Sequence, residues 1–175
     1  GDTVRLPIDQ GHLVAILAGR VKGDAIDGSS LIDLTPRIEQ GTLEWQAPDG
    51  PWRVMVFTWR LSEGRAGNLL VDGASQDAVD WYIQTVYQPH YTHFGHEFGN
   101  LIRGFFYDEP ETWGDWGTEV IPTIEERSGD WKRALVAWKF QLADQDEQIA
   151  ARYAYHDGFA EAWGRTLYGG LTEWC

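Results

Sequence analysis

Cysteine is almost absent. Cys175 is the only one in 175 residues, which excludes an internal disulfide and any zinc site built on paired cysteines. Cations are also scarce, with 14 Lys and Arg against 27 Asp and Glu and a net charge of −13. Nucleic acids and anionic membrane surfaces are held through clustered Lys and Arg, so neither is expected as a partner. No apolar run approaches the roughly 20 residues that a bilayer-spanning helix needs. Gly64-Arg65-Ala66-Gly67-Asn68 lacks the Gly-Lys-Ser/Thr ending of a phosphate loop. There is no Gly-x-Ser-x-Gly elbow and no motif around Cys175.

Apolar material is ample: 43% of the residues are hydrophobic and 14% aromatic, enough for a packed core. The acidic balance is compatible with a neutral ligand such as a glycan. The most telling stretch is Gly104-Phe105-Phe106-Tyr107-Asp108-Glu109-Pro110-Glu111. Ile102 to Tyr107 has the length and aromatic content of a strand buried on both faces. Pro110 lacks an N–H and biases Glu109 away from the helical region, so the strand should end there. Acids at the carboxyl end of a buried parallel strand lie where α/β enzymes place their chemistry. Trp113, Asp115, Trp116 and Glu119 follow, with no Lys or Arg from Asp108 through Glu119. Indole faces stack on the C–H surfaces of a pyranose, while carboxylates bind hydroxyls or move protons. The plainer alternative is a strand end whose acids are simply solvated.

An ordered series of motifs carries a resemblance. It comprises Asp77-Ala78-Val79-Asp80-Trp81, Tyr87-Gln88-Pro89-His90-Tyr91, Phe94-Gly95, Ile102-Arg103-Gly104-Phe105-Phe106-Tyr107-Asp108-Glu109-Pro110-Glu111 and Arg152-Tyr153-Ala154-Tyr155-His156. From Asn68 to Cys175 the chain resembles the catalytic region of bacterial glycoside hydrolases related to the family 106 α-L-rhamnosidases. The resemblance implies a TIM-type (β/α) barrel with appended β domains, and hydrolysis of a terminal sugar from a glycan. It also implies a secreted or periplasmic location and a calcium ion near the sugar site. Those relatives invert the anomeric centre, which places two carboxyl groups roughly 6.5–9.5 Å apart.

The expected fold class is therefore α/β: a partial (β/α) barrel over residues 63–175, preceded by an all-β accessory or inserted region over residues 1–62. A complete barrel takes roughly 250 residues, so the chain reads as a piece of a larger enzyme. Its start at Gly1-Asp2-Thr3 without Met, and its stop at Leu171-Thr172-Glu173-Trp174-Cys175 inside a helical pattern, agree with that expectation. In the first region, strand runs at His12 to Ala18, Ile26 with Leu31 to Leu34, Thr42 to Gln46 and Trp52 to Trp59 alternate with Gly-, Asp- and Pro-rich turns. Leu43, Trp45, Val54, Val56 and Thr58 should share the character of one buried face, although Trp52 to Trp59 could equally be a barrel strand. In the second region Leu69 to Val71 reads as a short strand ending at Asp72-Gly73. Gln76 to about Phe94 reads as a helix with Val79, Ile83, Val86 and Phe94 on one side and a kink at Pro89. A long helix should carry Ile149, Tyr153, His156, Phe159, Trp163 and Leu167 on its apolar face, His156 as a satisfied core histidine.

Glycosidic cleavage needs a proton donor at the leaving oxygen and a second carboxylate that activates water or attacks the sugar. Glu109 is the favoured acid, with Asp108 beside it in a structural or sugar-binding role. Asp72, after Leu69-Leu70-Val71, is the best internal candidate for the partner. Glu111, Trp113, Asp115 and Trp116 are candidates for substrate contact. His90, His93 and His96-Glu97 are spaced three and three, unlike the i, i+4 pair of zinc-protease helices, and no metal is assigned there. The rival readings are a glycan-binding module in which the same acids only bind hydroxyls, and a partial gene product without activity.

Overall fold

The computed structural model describes residues 1–61, 71–106 and 114–175. Contacts divide the chain into two units: Gly1–Arg60 with Ile124–Asp157, and Leu61–Thr123 with Gly158–Cys175.

The first unit holds every named strand among the described residues. These are β1 (Thr3–Pro7), β2 (Leu13–Lys22), β3 (Ala25–Ile26), β4 (Ile32–Asp33), β5 (Ile38–Glu39), β6 (Thr42–Gln46) and β7 (Trp52–Thr58). One sheet runs β1-β6-β5, and a second is built on β2, which pairs with β3, β4 and β7. All these pairings are antiparallel. Period-two alternation explains β6, where Leu43 and Trp45 are buried and Glu44 and Gln46 face solvent. Central β2 is buried on both faces, with Ala15, Ile16, Leu17 and Ala18 all covered. Ile16 and Ala18 meet Leu34, Leu43 and Trp45 between the two sheets.

β7 departs from the expected one-sided pattern. Val54 packs on that inter-sheet cluster, whereas Met55 and Phe57, on the opposite face, are the more deeply buried. Phe57 meets Phe140 edge-on at 5.9 Å, so the second face is covered as well. Phe140 follows α4 (Trp131–Lys139), capped by the Asp130 carboxylate accepting from the Arg133 N–H. Between α4 and α5 (Gln145–Trp163) the chain runs beside β3: the Ile26 N–H donates to the Gln141 carbonyl and the Ala143 N–H to the Ile26 carbonyl. Buried Gln148 closes that connection, donating to the Ala137 carbonyl and accepting from the Leu142 N–H.

The second unit is helical in its described parts. α1 (Gln76–Tyr82), a π-helical turn (Ile83–Tyr87) and α2 (Gln88–Phe94) follow without a break. Ser75 caps the start. Pro89 has no N–H to continue the ladder, and the wider turn just before it absorbs the mismatch, with the Gln88 N–H reaching back to the Ile83 carbonyl. The extra residue sets the buried positions four apart, at Val79, Ile83 and Tyr87, and leaves Val86 and Phe94 exposed. α3 (Val120–Ser128) begins in this unit, and a second π-helical turn (Gly164–Gly169) links α5 to α6 (Gly170–Trp174). Among its described residues Val79, Ile83 and Leu167 form a buried cluster, flanked by Trp163, Leu171 and Trp174.

Three expectations are corrected. First, the described residues form no TIM-type barrel: the strands lie within Thr3–Pro7 to Trp52–Thr58, are antiparallel, and precede the helices. Second, Ile102–Tyr107 is not a buried parallel strand in its described part. Ile102 makes only an isolated bridge with Phe98, closed by the Ile102 N–H donating to the Glu97 carbonyl, and Phe106 is 89% exposed. A buried parallel strand needs partners on both edges, and among the described residues this unit supplies none. Val71, likewise, is not in a strand, and Leu69 and Leu70 lie outside the described residues. Third, α5 buries Gln148, Ala151, Tyr155 and Ala162, and leaves Ile149, Tyr153 and His156 in solvent. Its covered stripe is made of small residues around one tyrosine, which a search for large apolar side chains passes over.

Candidate functional site

Asp72, Gly73, Ala74 and Ser75 form a tight turn. The Ser75 N–H donates to the Asp72 carbonyl at 3.2 Å, and the Ala74 N–H donates to Asp72 Oδ1 at 2.9 Å. Asp before Gly favours this geometry, because the short carboxylate reaches the backbone two residues on. Ser75 then caps α1, so the turn is fixed to the start of a helix.

Glycine lets two neighbours press against this turn. A Cβ built on Gly73 would lie 2.6–2.8 Å from the six-membered ring of Trp163, so only a bare backbone fits beneath that indole. A Cβ on Gly117 would fall 2.5 Å from Ala74 Cβ and 2.7 Å from Asp72 Oδ1. The segment that carries Asp115 and Trp116 is thereby laid directly on the Asp72 carboxyl. The Glu119 N–H donates to the Ala74 carbonyl at 2.9 Å and holds it there. Behind the turn, the buried Thr166 hydroxyl donates to the Gly73 carbonyl and lies 2.8 Å from the Ala162 carbonyl.

Burial pushes the Asp72 carboxyl above the ordinary value of 3.8, and the single N–H from Ala74 pulls only partly against it. Among the described residues the Ala74 N–H is its one hydrogen-bond donor and no cation pairs with it. Asp27 in the first unit is the contrast. Lys22 Nζ stands 2.8 Å from it, and with Ser29 donating as well the carboxyl is lowered to about 2.

Of the residues proposed from sequence, Asp72 is partly buried, Asp115 is exposed and Trp116 is partly buried. Asp108, Glu109, Glu111 and Trp113 lie outside the described residues. The structure brings Asp72 together with the backbone of the Asp115–Trp116 segment through Gly117. Trp163, Thr166, Gly73 and Gly117 were not proposed as site residues from sequence. The Asp-Gly pair signals a turn, but no local pattern signals a partner some 90 residues away (Thr166 and Gly73 are 93 positions apart).

Among the described residues no three of His, Cys, Asp and Glu come together as a group that could hold a metal ion. His93 Nδ1 lies 2.8 Å from the Pro89 carbonyl and His96 pairs with Glu97 at 3.5 Å. A shallow cleft of about 390 Å³ in the first unit is lined by Arg127, Ser128, Tyr153, Ala154 and Asp157. Arg127 and Asp157 already close on each other at 2.7 Å there. Among the described residues no helix is long and apolar enough to cross a membrane. No family model matches the chain, and neither a curated protein nor a solved structure matches it.

Proposed function

We propose that this chain is part of a carbohydrate-active hydrolase, of the α-L-rhamnosidase kind, in which Asp72 and the acidic, Trp-rich loop form the sugar site. The observation that carries this reading is the desolvated Asp72 carboxyl lying against the loop at Gly117. A carboxyl that holds its proton above the ordinary range suits general acid–base work on a glycosidic bond. Trp116 supplies an aromatic face and Asp115 an acceptor for hydroxyls on the same segment. Glu109, from its place in the Tyr-Asp-Glu-Pro-Glu motif, is the second carboxyl of the pair. Secretion to the periplasm or beyond, where polymeric glycans are met, goes with this reading.

Glycan binding without cleavage is the second reading. It is favoured by the exposed Asp115 and half-buried Trp116 on one segment, which can meet a sugar without a second carboxyl. Two measurements separate the readings. One is turnover of p-nitrophenyl α-L-rhamnopyranoside; the other is saturation-transfer NMR with methyl α-L-rhamnopyranoside. Hydrolysis that Glu109→Gln and Asp72→Asn each lower by about 10²–10⁴-fold is the expected result. Binding that Trp116→Ala abolishes, with no turnover, selects the binding module. Neither binding nor turnover across a panel of aryl glycosides would overturn both.

A further inference from the structure

The Gly73–Ala74 peptide is one planar unit with its C=O and N–H pointing in opposite directions. Its N–H donates to Asp72 Oδ1, and its C=O accepts from the Thr166 hydroxyl. The next carbonyl, that of Ala74, accepts from the Glu119 N–H. Trp163 lies across Gly73 so closely that a methyl group there would overlap its ring. Both Trp163 and Thr166 sit where α5 passes into the π-helical turn, a distortion that recurs at functional sites.

We propose that Thr166 and Trp163 are positioning residues: they fix the Gly73–Ala74 peptide, and through it the direction in which Asp72 presents its carboxyl to substrate. This deepens the assignment of Asp72 to the sugar site and rests on it. The hydroxyl grips one end of the peptide while the carboxylate grips the other, so rotation of the plane is blocked from both sides. A donor on the carbonyl also polarises the peptide, which strengthens the N–H that Asp72 accepts. Asp115 and Glu119 are the titratable groups on the segment laid against the turn. The helical segment behind it carries Glu161 and Arg165, which pair with each other at 3.0 Å.

The test is made on the full chain with Thr166→Val and Thr166→Ser. Thermal melting confirms folding, and two local signals are read: the carboxyl ¹³C titration of Asp72 and the hydrogen exchange of the Ala74 amide. Thr166→Val should move the titration midpoint further above that of an unstructured aspartate, because a weakened Ala74 N–H pulls less against burial, and speed Ala74 exchange at least about tenfold, the change equivalent to ~1.4 kcal/mol. Thr166→Ser, which keeps the hydroxyl, should restore both. A folded Thr166→Val chain with neither signal moved would overturn the proposal, as would a folded Thr166→Ser chain that restores neither. Should Thr166→Val not fold, Trp163→Phe keeps an aromatic ring but withdraws it from Gly73, and the same two signals decide. Neither signal needs a sugar. If both respond while rhamnosides are neither bound nor cleaved, the positioning stands and the sugar reading fails; the reverse combination removes the positioning alone.

Discussion

The two units place their apolar residues in opposite ways. In Gly1–Arg60 with Ile124–Asp157, Ile16, Ala18, Leu34 and Leu43 are fully covered between two sheets, and Phe57 with Phe140 fills the other face of the larger one. In Leu61–Thr123 with Gly158–Cys175 the described residues include a buried cluster of Val79, Ile83 and Leu167. Its aromatic residues gather around Trp174, whose indole meets Tyr87, Tyr91, Phe98 and Phe105 at 5.5–6.2 Å and donates to Gln88. Trp81, Leu101 and Phe106 remain more than half exposed. The first unit thus has a core that supports stability. Among the described residues the second has two π-helical turns and a desolvated carboxyl, the kind of local departure from ideal structure that accompanies function.

The largest effect should come from the first core. Leu43→Ala should cost about 3–4 kcal/mol in urea unfolding, within the range for buried leucines, because sheets on both sides prevent collapse into the space. Leu167→Ala, in the smaller cluster, should lie nearer about 2 kcal/mol. A reversal of that order would break the comparison. Next is Gln148→Ala, which orphans the Leu142 N–H and the Ala137 carbonyl and should cost about 2 kcal/mol. A change within experimental scatter would mean that water replaces the amide.

The smallest effect sharpens the comparison through its sign. Asp27, lowered to about 2 by Lys22, binds its proton less tightly folded than unfolded. Its stabilisation is present above the ordinary value of 3.8 and is lost as pH falls toward about 2. Asp72 is shifted the other way, so the stability linked to it is full below 3.8 and declines as pH rises through its raised value. Denaturation midpoints of Asp27→Asn and Asp72→Asn across pH should therefore depart from the parent with opposite slopes. Parallel curves would show that one of the two environments is misassigned.

Much of the first unit was legible because its signals are local. Thr42–Gln46 is the strand that the alternation around Leu43 and Trp45 marks, and the Gly and Asp clusters do mark turns. The phase of β7 was not legible, because which face of a strand is more covered depends on partners distant in sequence, here Phe140. The same limit explains Ile102–Tyr107. An apolar run of six is compatible with a buried strand, but only neighbouring strands make it one, and Phe105 packs instead on Tyr87 and Trp174. Val79 and Ile83 were correctly placed on the buried side of the first helix, until the π turn shifted the register past them. Of the candidate site, Asp72 could be picked out as the acid after an apolar run. The peptide that holds it depends on Thr166 and Trp163, which no local pattern links to it.

The most direct test of the site is the ¹³C titration of the Asp72 carboxyl in the folded chain, with and without methyl α-L-rhamnopyranoside. The Asp72 site predicts a midpoint above 3.8 that moves again when the sugar is added, because a bound pyranose removes further water from the carboxyl. A midpoint at 3.8 that ignores the sugar would contradict it.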